Sequence, residues 1–319
     1  MYSARCLSTH YSNICYDNPY IMALSRHTIK TLSMPLTMVV GALLCRPLAD
    51  LEAASDHMLT PILIASMLFL TFCRIDIRSM RLKMIHLWML VVQFVGSVGV
   101  YYALYPLFGE TVAQGGMICV MAPIAMAAVV IGGMLGANVA TMVTYSLVCN
   151  LVTALLAPPM LHAFGNGTCT FMEIISRVAP TLVAPFVVAQ ICRYTWRRGA
   201  EWFASHSFLS FYIWLFSLVL VLGRTTCFIL DTDADIVVEV ELALVALVLC
   251  LIQFRIGRYL GDLSGDRVAG TQSVGQKNTI LAVWMSLNFL DPVASIAPTA
   301  YIIWQNLVNS LQIYRSGKR

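Results

Sequence analysis

Ten runs of about 20 mostly apolar residues, joined by short connections, occupy most of the chain. Their approximate limits are 31–48, 57–74, 85–107, 112–134, 138–162, 176–193, 203–223, 236–254, 268–289 and 292–313. A helix of this length and character spans the hydrocarbon core of a bilayer. Only 11% of the residues are charged, against about 25% in a soluble domain. The sequence therefore predicts an all-α polytopic membrane protein with ten transmembrane helices.

The basic residues are divided unevenly between the two predicted sides of the membrane. One side holds fifteen Lys and Arg residues, whereas the other holds three, Arg46, Arg177 and Arg224. Because Lys and Arg accumulate in cytoplasmic loops, this bias predicts a protein of the cell (inner or plasma) membrane with both termini in the cytoplasm. Ten helices divide into halves of five, and an odd number per half inverts the second half, as in many secondary transporters.

The remaining features point to no other class of protein. Residues 1–26 are predicted to be a disordered N-terminal extension, with Met22 as an alternative start, and 27–319 to form one transporter unit. The net charge of +4 is modest, and the basic residues lie between apolar runs, so no nucleic-acid partner is expected. The ten cysteines include no C-x-x-C pair and the membrane segments hold no paired carboxylates. We therefore predict no metal, no cofactor and no enzymatic activity, while the oligomeric state stays open.

Two predicted helices carry helix-interrupting residues at corresponding positions of the two halves. Pro123 lies in "CVMAPIAM" of the fourth segment, and Gly275 lies in "SVGQKN" of the ninth. Proline removes a backbone donor and clashes with the preceding turn. Interrupted helices at matching positions of two repeats indicate a binding site near the bilayer midplane. Proline kinks and glycines also occur in membrane helices without such a role.

Lys277 is the one basic residue placed deep inside an apolar segment. A lysine at the bilayer centre costs about 2.5–3.5 kcal/mol on insertion scales, which makes it a candidate functional residue. Two structural interpretations stand beside that one: a tether that holds the ninth helix against the fourth, or a side chain that extends to the inner interface. The second is disfavoured, because Arg267 marks that interface roughly 15 Å away at about 1.5 Å per residue.

Two blocks of the sequence resemble the bile acid:sodium symporter family. The block "MAPIAMAAVVIGGMLGANVATMVTYSLVCNLVTALLAPPML" is similar to helices 4 and 5 of that family. The block "SVGQKNTILAVWMSLNFLDPVASIAPTAYIIWQNLVNSLQIYR" is similar to its helices 9 and 10, with V-G-x-x-N, a proline-led last helix and W-x-N. The resemblance implies a panel domain (helices 1, 2, 6 and 7), a core domain (helices 3–5 and 8–10) and crossed, discontinuous helices 4 and 9. It also implies alternating-access transport of organic anions, usually with sodium.

Most positions that hold sodium in the family are altered in this chain. The resemblance aligns a Ser-Asn pair with Ala128 and Val129, a serine and a threonine with Met142 and Ser146, a glutamate with Ser273, and a glutamine with Lys277. Gln93 matches a sodium-site glutamine, and Gln276 lies in the altered motif. Because a small hard cation needs oxygen ligands, sodium is expected to bind poorly or not at all. We expect the Lys277 ammonium to replace it, bonded to carbonyls of the unwound helix 4 and to Gln93 or Ser146.

The substrate positions implied by the resemblance are better preserved. Asn278 and Asn306 match polar positions that face the binding cavity, Gln305 stands where many members carry histidine, and Met126 replaces a threonine. The alternative role for these amides is hydrogen bonding between helices, which is the interpretation favoured for Asn309.

Together these features predict a secondary transporter of a small organic anion, either bile-acid-like or a carboxylate or sulfonate. Transport is expected to be sodium-independent with a permanently charged Lys277, or coupled to protons, since a buried lysine releases its proton more readily than one in water. A ligand-binding membrane sensor or a channel on the same fold is the alternative. An intramembrane enzyme is less favoured, since its nearest candidate pair is Ser273 and Lys277, four residues apart on one helix face.

Overall fold

The computed structural model describes residues 36–37, 39–73, 80–165, 167, 169–205, 207–231 and 235–316, without the side chains of 126, 207, 208, 210 and 211. The predicted extension 1–26 lies outside these residues. The described residues form helices α1 (Cys45–Ala54), α2 (Leu59–Phe72), α3 (Met84–Phe108), α4 (Glu110–Met121), α5 (Met126–Met134), α6 (Val139–Phe164), α7 (Phe171–Thr195), α8 (Arg197–Ser205), α9 (Ser207–Asp231), α10 (Ile236–Leu263), α11 (Arg267–Gly275), α12 (Thr279–Phe289) and α13 (Ile296–Ser316). A short 3-10 helix, Pro292–Ser295, precedes α13.

Five helices are long and apolar enough to cross a membrane on their own. They are α3, α6, α7, the Tyr212–Asp231 part of α9, and α10. Four of them match predicted segments closely, whereas the span in α9 only overlaps the predicted 203–223. α1 and α2 together meet the same criterion as a sixth span, bent by 85°. These helices have the length and composition predicted for a polytopic membrane protein.

The fourth and ninth predicted segments each form two short helices. α4 and α5 contain 12 and 9 residues, and α11 and α12 contain 9 and 11. Each piece is shorter than the roughly 20 residues that a membrane-spanning helix needs. Neither segment is therefore a continuous helix, and each is interrupted close to its middle.

The interrupted segments lie at the centre of the fold. Every residue from Val112 to Met121 is buried, and so is every residue from Ala269 to Gly275. In the most apolar 18-residue windows of α3 and α10, by contrast, only 28% of the residues are buried, so much of their surface is left for lipid. The long helices thus surround the helix interruptions. Irregular backbone at membrane depth is tolerated only where protein or a cavity encloses it.

Two connections differ from the sequence prediction. The first predicted segment ends at 48, yet α1 continues to Ala54, and the chain then turns through Asp56 and His57, both with positive φ. The seventh predicted segment begins at 203, yet this residue belongs to the separate short helix α8. α8 turns Gly199 and Ala200 inward and keeps its charged residues exposed, so it is an amphipathic connector and not the start of a span.

A largely buried ion pair fixes the bend between α1 and α2. The Glu52 side chain is fully buried, and its Oε1 accepts hydrogen bonds from Arg224 on α9 at 3.2 Å and from the Thr60 backbone N–H at 3.3 Å. The Glu52 backbone carbonyl accepts a further bond from the His57 N–H at 2.9 Å. The pair joins residues 172 positions apart in the chain, so it holds the bend against α9.

We predict that Glu52→Ala lowers the free energy of unfolding by about 3 kcal/mol, because it leaves the Arg224 guanidinium, on a side chain only 14% exposed, without its carboxylate. The matched control is Asp231→Ala, which breaks an ion pair with Arg46 whose side chains are 47% and 64% exposed. That change should cost no more than about 1 kcal/mol. Thermal unfolding of both variants in detergent measures the difference, and equal destabilisation would contradict the role given to burial.

Candidate functional site

The two helix interruptions are joined by backbone hydrogen bonds. The residues between α4 and α5 and those between α11 and α12 run antiparallel to one another. The Ala125 N–H donates to the Gln276 carbonyl at 2.9 Å, and the Asn278 N–H donates to the Pro123 carbonyl at 2.7 Å. Each interruption therefore supplies hydrogen-bond partners for backbone groups of the other. Those groups have no partner in their own helices, and the interior of a bilayer offers no water in its place.

Local sequence explains why the helices break at these positions. Pro123 has no N–H to continue the ladder of α4. Gly275 is the last residue of α11, and a Cβ on it would lie 2.4 Å from the Phe254 ring, so only glycine allows α10 to approach. Asn278 begins α12 as its N-cap, with its side-chain oxygen accepting from the N–H three residues on at 3.3 Å. The Tyr301 hydroxyl donates to the free Gly275 carbonyl at 2.8 Å.

Lys277 lies inside this crossing and is 2% exposed. Its Nζ donates to the Val120 carbonyl in the last turn of α4 at 2.8 Å, and its backbone N–H donates to Gln305 Oε1 on α13 at 2.9 Å. The last carbonyls of a helix have no helical donor, and they form the negative end of its dipole. The ammonium thus occupies a position where a cation is favoured.

Two glutamines bind the carbonyls on either side of this one. Gln253 of α10 donates to the Cys119 carbonyl at 3.4 Å, and Gln93 of α3 donates to the Met121 carbonyl at 2.6 Å. Side chains from three other elements thus satisfy three consecutive carbonyls at the end of α4. This arrangement places the ammonium between two neutral amides.

Gln93 also connects this site to α6. Its Oε1 accepts from the Tyr145 hydroxyl at 3.1 Å and from the Cys149 thiol at 3.0 Å. Lys277 and Gln93 therefore bind neighbouring carbonyls of α4. The sequence analysis expected such a bond for Lys277 but not for Gln93. Among the described residues, Lys277 Nζ makes no hydrogen bond to Gln93 or to the buried Ser146.

The polar residues predicted to contact substrate take part in the protein's own hydrogen bonds. Gln305 binds the Lys277 backbone, and Asn278 caps α12, as described above. The Asn306 amide donates to a carbonyl one turn back in its own helix at 2.7 Å. The side chain of Met126 is not among those the structure describes. A substrate would therefore have to exchange with these bonds.

A family comparison agrees with this architecture. A model described as the SBF-like CPA transporter family matches residues 36–308. The chain belongs to this family. The match confirms the resemblance to bile acid:sodium symporters that the two sequence blocks indicated, and it makes the chain a multi-pass membrane protein of a transporter family. A comparison with curated proteins finds no match.

A chain of amides joins α11 to α13 in this SBF-like protein, and only the interhelical bond of Asn309 was predicted from the sequence. Gln276 donates to Gln272 on α11 and to Asn309 on α13 at 3.1 Å, and Gln272 donates to Gln312 at 2.7 Å. Ser273 beside them is buried, and its hydroxyl has no hydrogen-bond partner among the described residues. Glutamines four residues apart in an apolar segment share a helix face, and that spacing is the signal that could have revealed the chain.

We predict that Gln305→Ala destabilises the protein by about 1–3 kcal/mol, because it leaves the buried Lys277 N–H without an acceptor. Asn306→Ala, at the next position, is the matched control, since its amide bonds only within α13. Thermal unfolding in detergent compares the two variants. An equal loss from both would show that the bond between α13 and the interruption contributes little.

Proposed function

We propose that this SBF-like protein moves a small organic anion, bile-acid-like or a carboxylate or sulfonate, by alternating access and without sodium. In this proposal the Lys277 ammonium takes the place of the sodium ion. The observation that carries it is the buried contact of Lys277 Nζ with the Val120 carbonyl at 2.8 Å, where the two interrupted helices meet. A fixed cation bound to helix-end carbonyls does what a coordinated ion does: it neutralises the negative end of a half-helix.

The residues around the ammonium support a site without sodium. Positions that the resemblance assigns to oxygen ligands carry the apolar side chains of Ala128, Val129 and Met142. Sodium is held by carboxylate, hydroxyl and carbonyl oxygens. The Val120 carbonyl oxygen could still bind a cation, but it already accepts a hydrogen bond from the Lys277 ammonium. The proposal therefore includes no sodium and no other cofactor.

The charge balance at the crossing supports an anionic substrate. Lys277 forms no ion pair among the described residues, and the ionisable groups that act on it electrostatically are the thiols of Cys149 and Cys119. The half-helices α5 and α12 begin at the interruptions, so their positive N-terminal ends lie in the same region. An unpaired ammonium and two helix N-termini favour a carboxylate or sulfonate.

Alternating access requires further transmembrane segments around the crossing of the two interrupted helices. We propose ten transmembrane segments in two inverted repeats of five, with the fourth and ninth segments, α4–α5 and α11–α12, as equivalent interrupted helices. The panel is formed by the first, second, sixth and seventh segments. The surplus of basic residues on one side supports a cell-membrane location with both termini in the cytoplasm.

Transport assays test the role given to Lys277. A thermal-shift screen of cholate, taurocholate and small carboxylates and sulfonates first selects a ligand, whose uptake into proteoliposomes is then measured. We expect equal uptake with sodium and with potassium. Lys277→Gln keeps a donor for the Val120 carbonyl but removes the charge. It should reduce uptake about tenfold or more, because a hydrogen bond to a charged group contributes about 1.5–3 kcal/mol.

Lys83→Gln is the control for a lost lysine, since Lys83 lies at the exposed start of α3, where its Nζ bonds Thr141 at 3.0 Å. Its uptake should match that of the unmodified protein. A strict sodium requirement, or undiminished uptake by Lys277→Gln, contradicts the proposal. Binding of the selected ligand without any uptake would indicate a sensor.

An imposed proton gradient separates the two forms of coupling. We expect a permanently charged Lys277, because the α4 carbonyl and the substrate anion both stabilise the ammonium. Uptake should then be unchanged when the outside is made acidic and when a protonophore is added. Proton coupling instead predicts uptake that rises with the gradient and loses this response in Lys277→Gln. That result would overturn the permanent charge.

A further inference from the structure

We expect the connector α8 to lie at a membrane surface. It joins two candidate spans, α7 and the Tyr212–Asp231 part of α9. Its inner face is tied to the protein: Gly199 and Ala200 are buried, and the Phe203 ring packs edge-on against Phe69 of α2, with centroids 5.2 Å apart. Its outer face is directed away from the core.

A groove of about 400 Å³ runs along this connector. Its lining residues are Trp196, Arg198, Gly199, Trp202 and Phe203. Trp196 is 61% exposed and Trp202 is 52% exposed, although both carry large apolar rings. Tryptophan is enriched at the level of lipid headgroups, where one part of the ring is apolar and the other wet. The groove thus has the character of a membrane interface.

Gly199 gives the groove its shape. A Cβ on this residue would lie 2.3 Å from two atoms of the Trp196 indole. Such a distance is far below van der Waals contact, so only glycine lets the indole lie against the backbone of α8. The ring then forms one wall of the groove.

The two arginines of α8 differ in their pairing. Arg197 forms an ion pair with Glu201 one turn on, at 2.8 Å. Arg198, which lines the groove, has no hydrogen-bond or ion-pair partner within the described part of the chain. A guanidinium binds phosphate oxygens in a bidentate manner, and it repels the cationic choline of a zwitterionic lipid. The groove therefore combines an apolar wall with one positive charge that is unpaired among the described residues.

We propose that this groove binds an anionic phospholipid, with Arg198 on the phosphate and the indoles of Trp196 and Trp202 against the glycerol and the upper acyl chains. The lipid is distinct from the transported anion, since α8 lies outside the helix crossing. Its binding does not depend on whether the protein transports without sodium.

Native mass spectrometry of the delipidated full chain tests this site by titration with phosphatidylglycerol and with phosphatidylcholine of the same acyl chains. We expect phosphatidylglycerol to bind more tightly than phosphatidylcholine. Arg198→Gln should lower the affinity for phosphatidylglycerol about fivefold, which is the contribution of one basic residue near an anionic membrane surface. Arg258→Gln is the charge-matched control, because it removes an exposed arginine from α10. It should leave the affinity unchanged.

Gly199→Ala provides a second variant, which displaces the Trp196 ring while keeping every charge. We expect it to weaken phosphatidylglycerol binding with little change in the thermal unfolding temperature. Equal binding of the two lipids, or equal losses in Arg198→Gln and Arg258→Gln, would overturn the proposal. The proposal would also be overturned if the spectrum showed a dimer and Gly199→Ala dissociated it. A second copy of the chain would then fill the groove.

Discussion

The structure depends on the mutual pairing of two interrupted helices. Breaking a helix inside a bilayer exposes N–H and C=O groups that water cannot reach, at several kcal/mol for each group left unsatisfied. Here the Ala125 and Asn278 N–H groups bind carbonyls of the opposite interruption. Neither interruption would be stable alone, because each supplies the partners that the other lacks. The long helices around them keep the residues from Val112 to Met121 and from Ala269 to Gly275 buried.

This constraint gives the residues of the candidate site a structural task beside the function proposed for them. Gln93 and Gln253 bind carbonyls at the end of α4 and at the same time bind hydroxyl groups of Tyr145 and Tyr301. The tether and functional interpretations of Lys277 are therefore compatible. Its hydrogen bond to Val120 holds the interrupted helices together, and in the proposed function its charge would also balance that of the anion.

Much of this arrangement could be predicted from the sequence. The length of the apolar runs indicated the long helices. Pro123 and Gly275 indicated the interruptions, because proline lacks the backbone N–H of a regular helix and glycine is unfavourable inside one. A lone lysine in an apolar run marked the centre. The carbonyl that it binds could not be predicted, since that depends on how α4 and α11 cross. The pairing of Glu52 with Arg224 was hidden for a similar reason, as the residues lie 172 positions apart.

The identity of the residue at 277 is informative when it is compared with its neighbours. Three consecutive carbonyls of α4 are bound by side chains, and the outer two are bound by the neutral amides of Gln253 and Gln93. Capping a helix end therefore does not require a charge in this protein. A glutamine at the middle position would avoid the cost of about 2.5–3.5 kcal/mol for placing a lysine at the bilayer centre. The charge itself, and not only the hydrogen bond, is thus what sets Lys277 apart from the two amides. The proposed anionic substrate would give that charge a partner, since a charged group forms stronger hydrogen bonds to an anion than a neutral amide does.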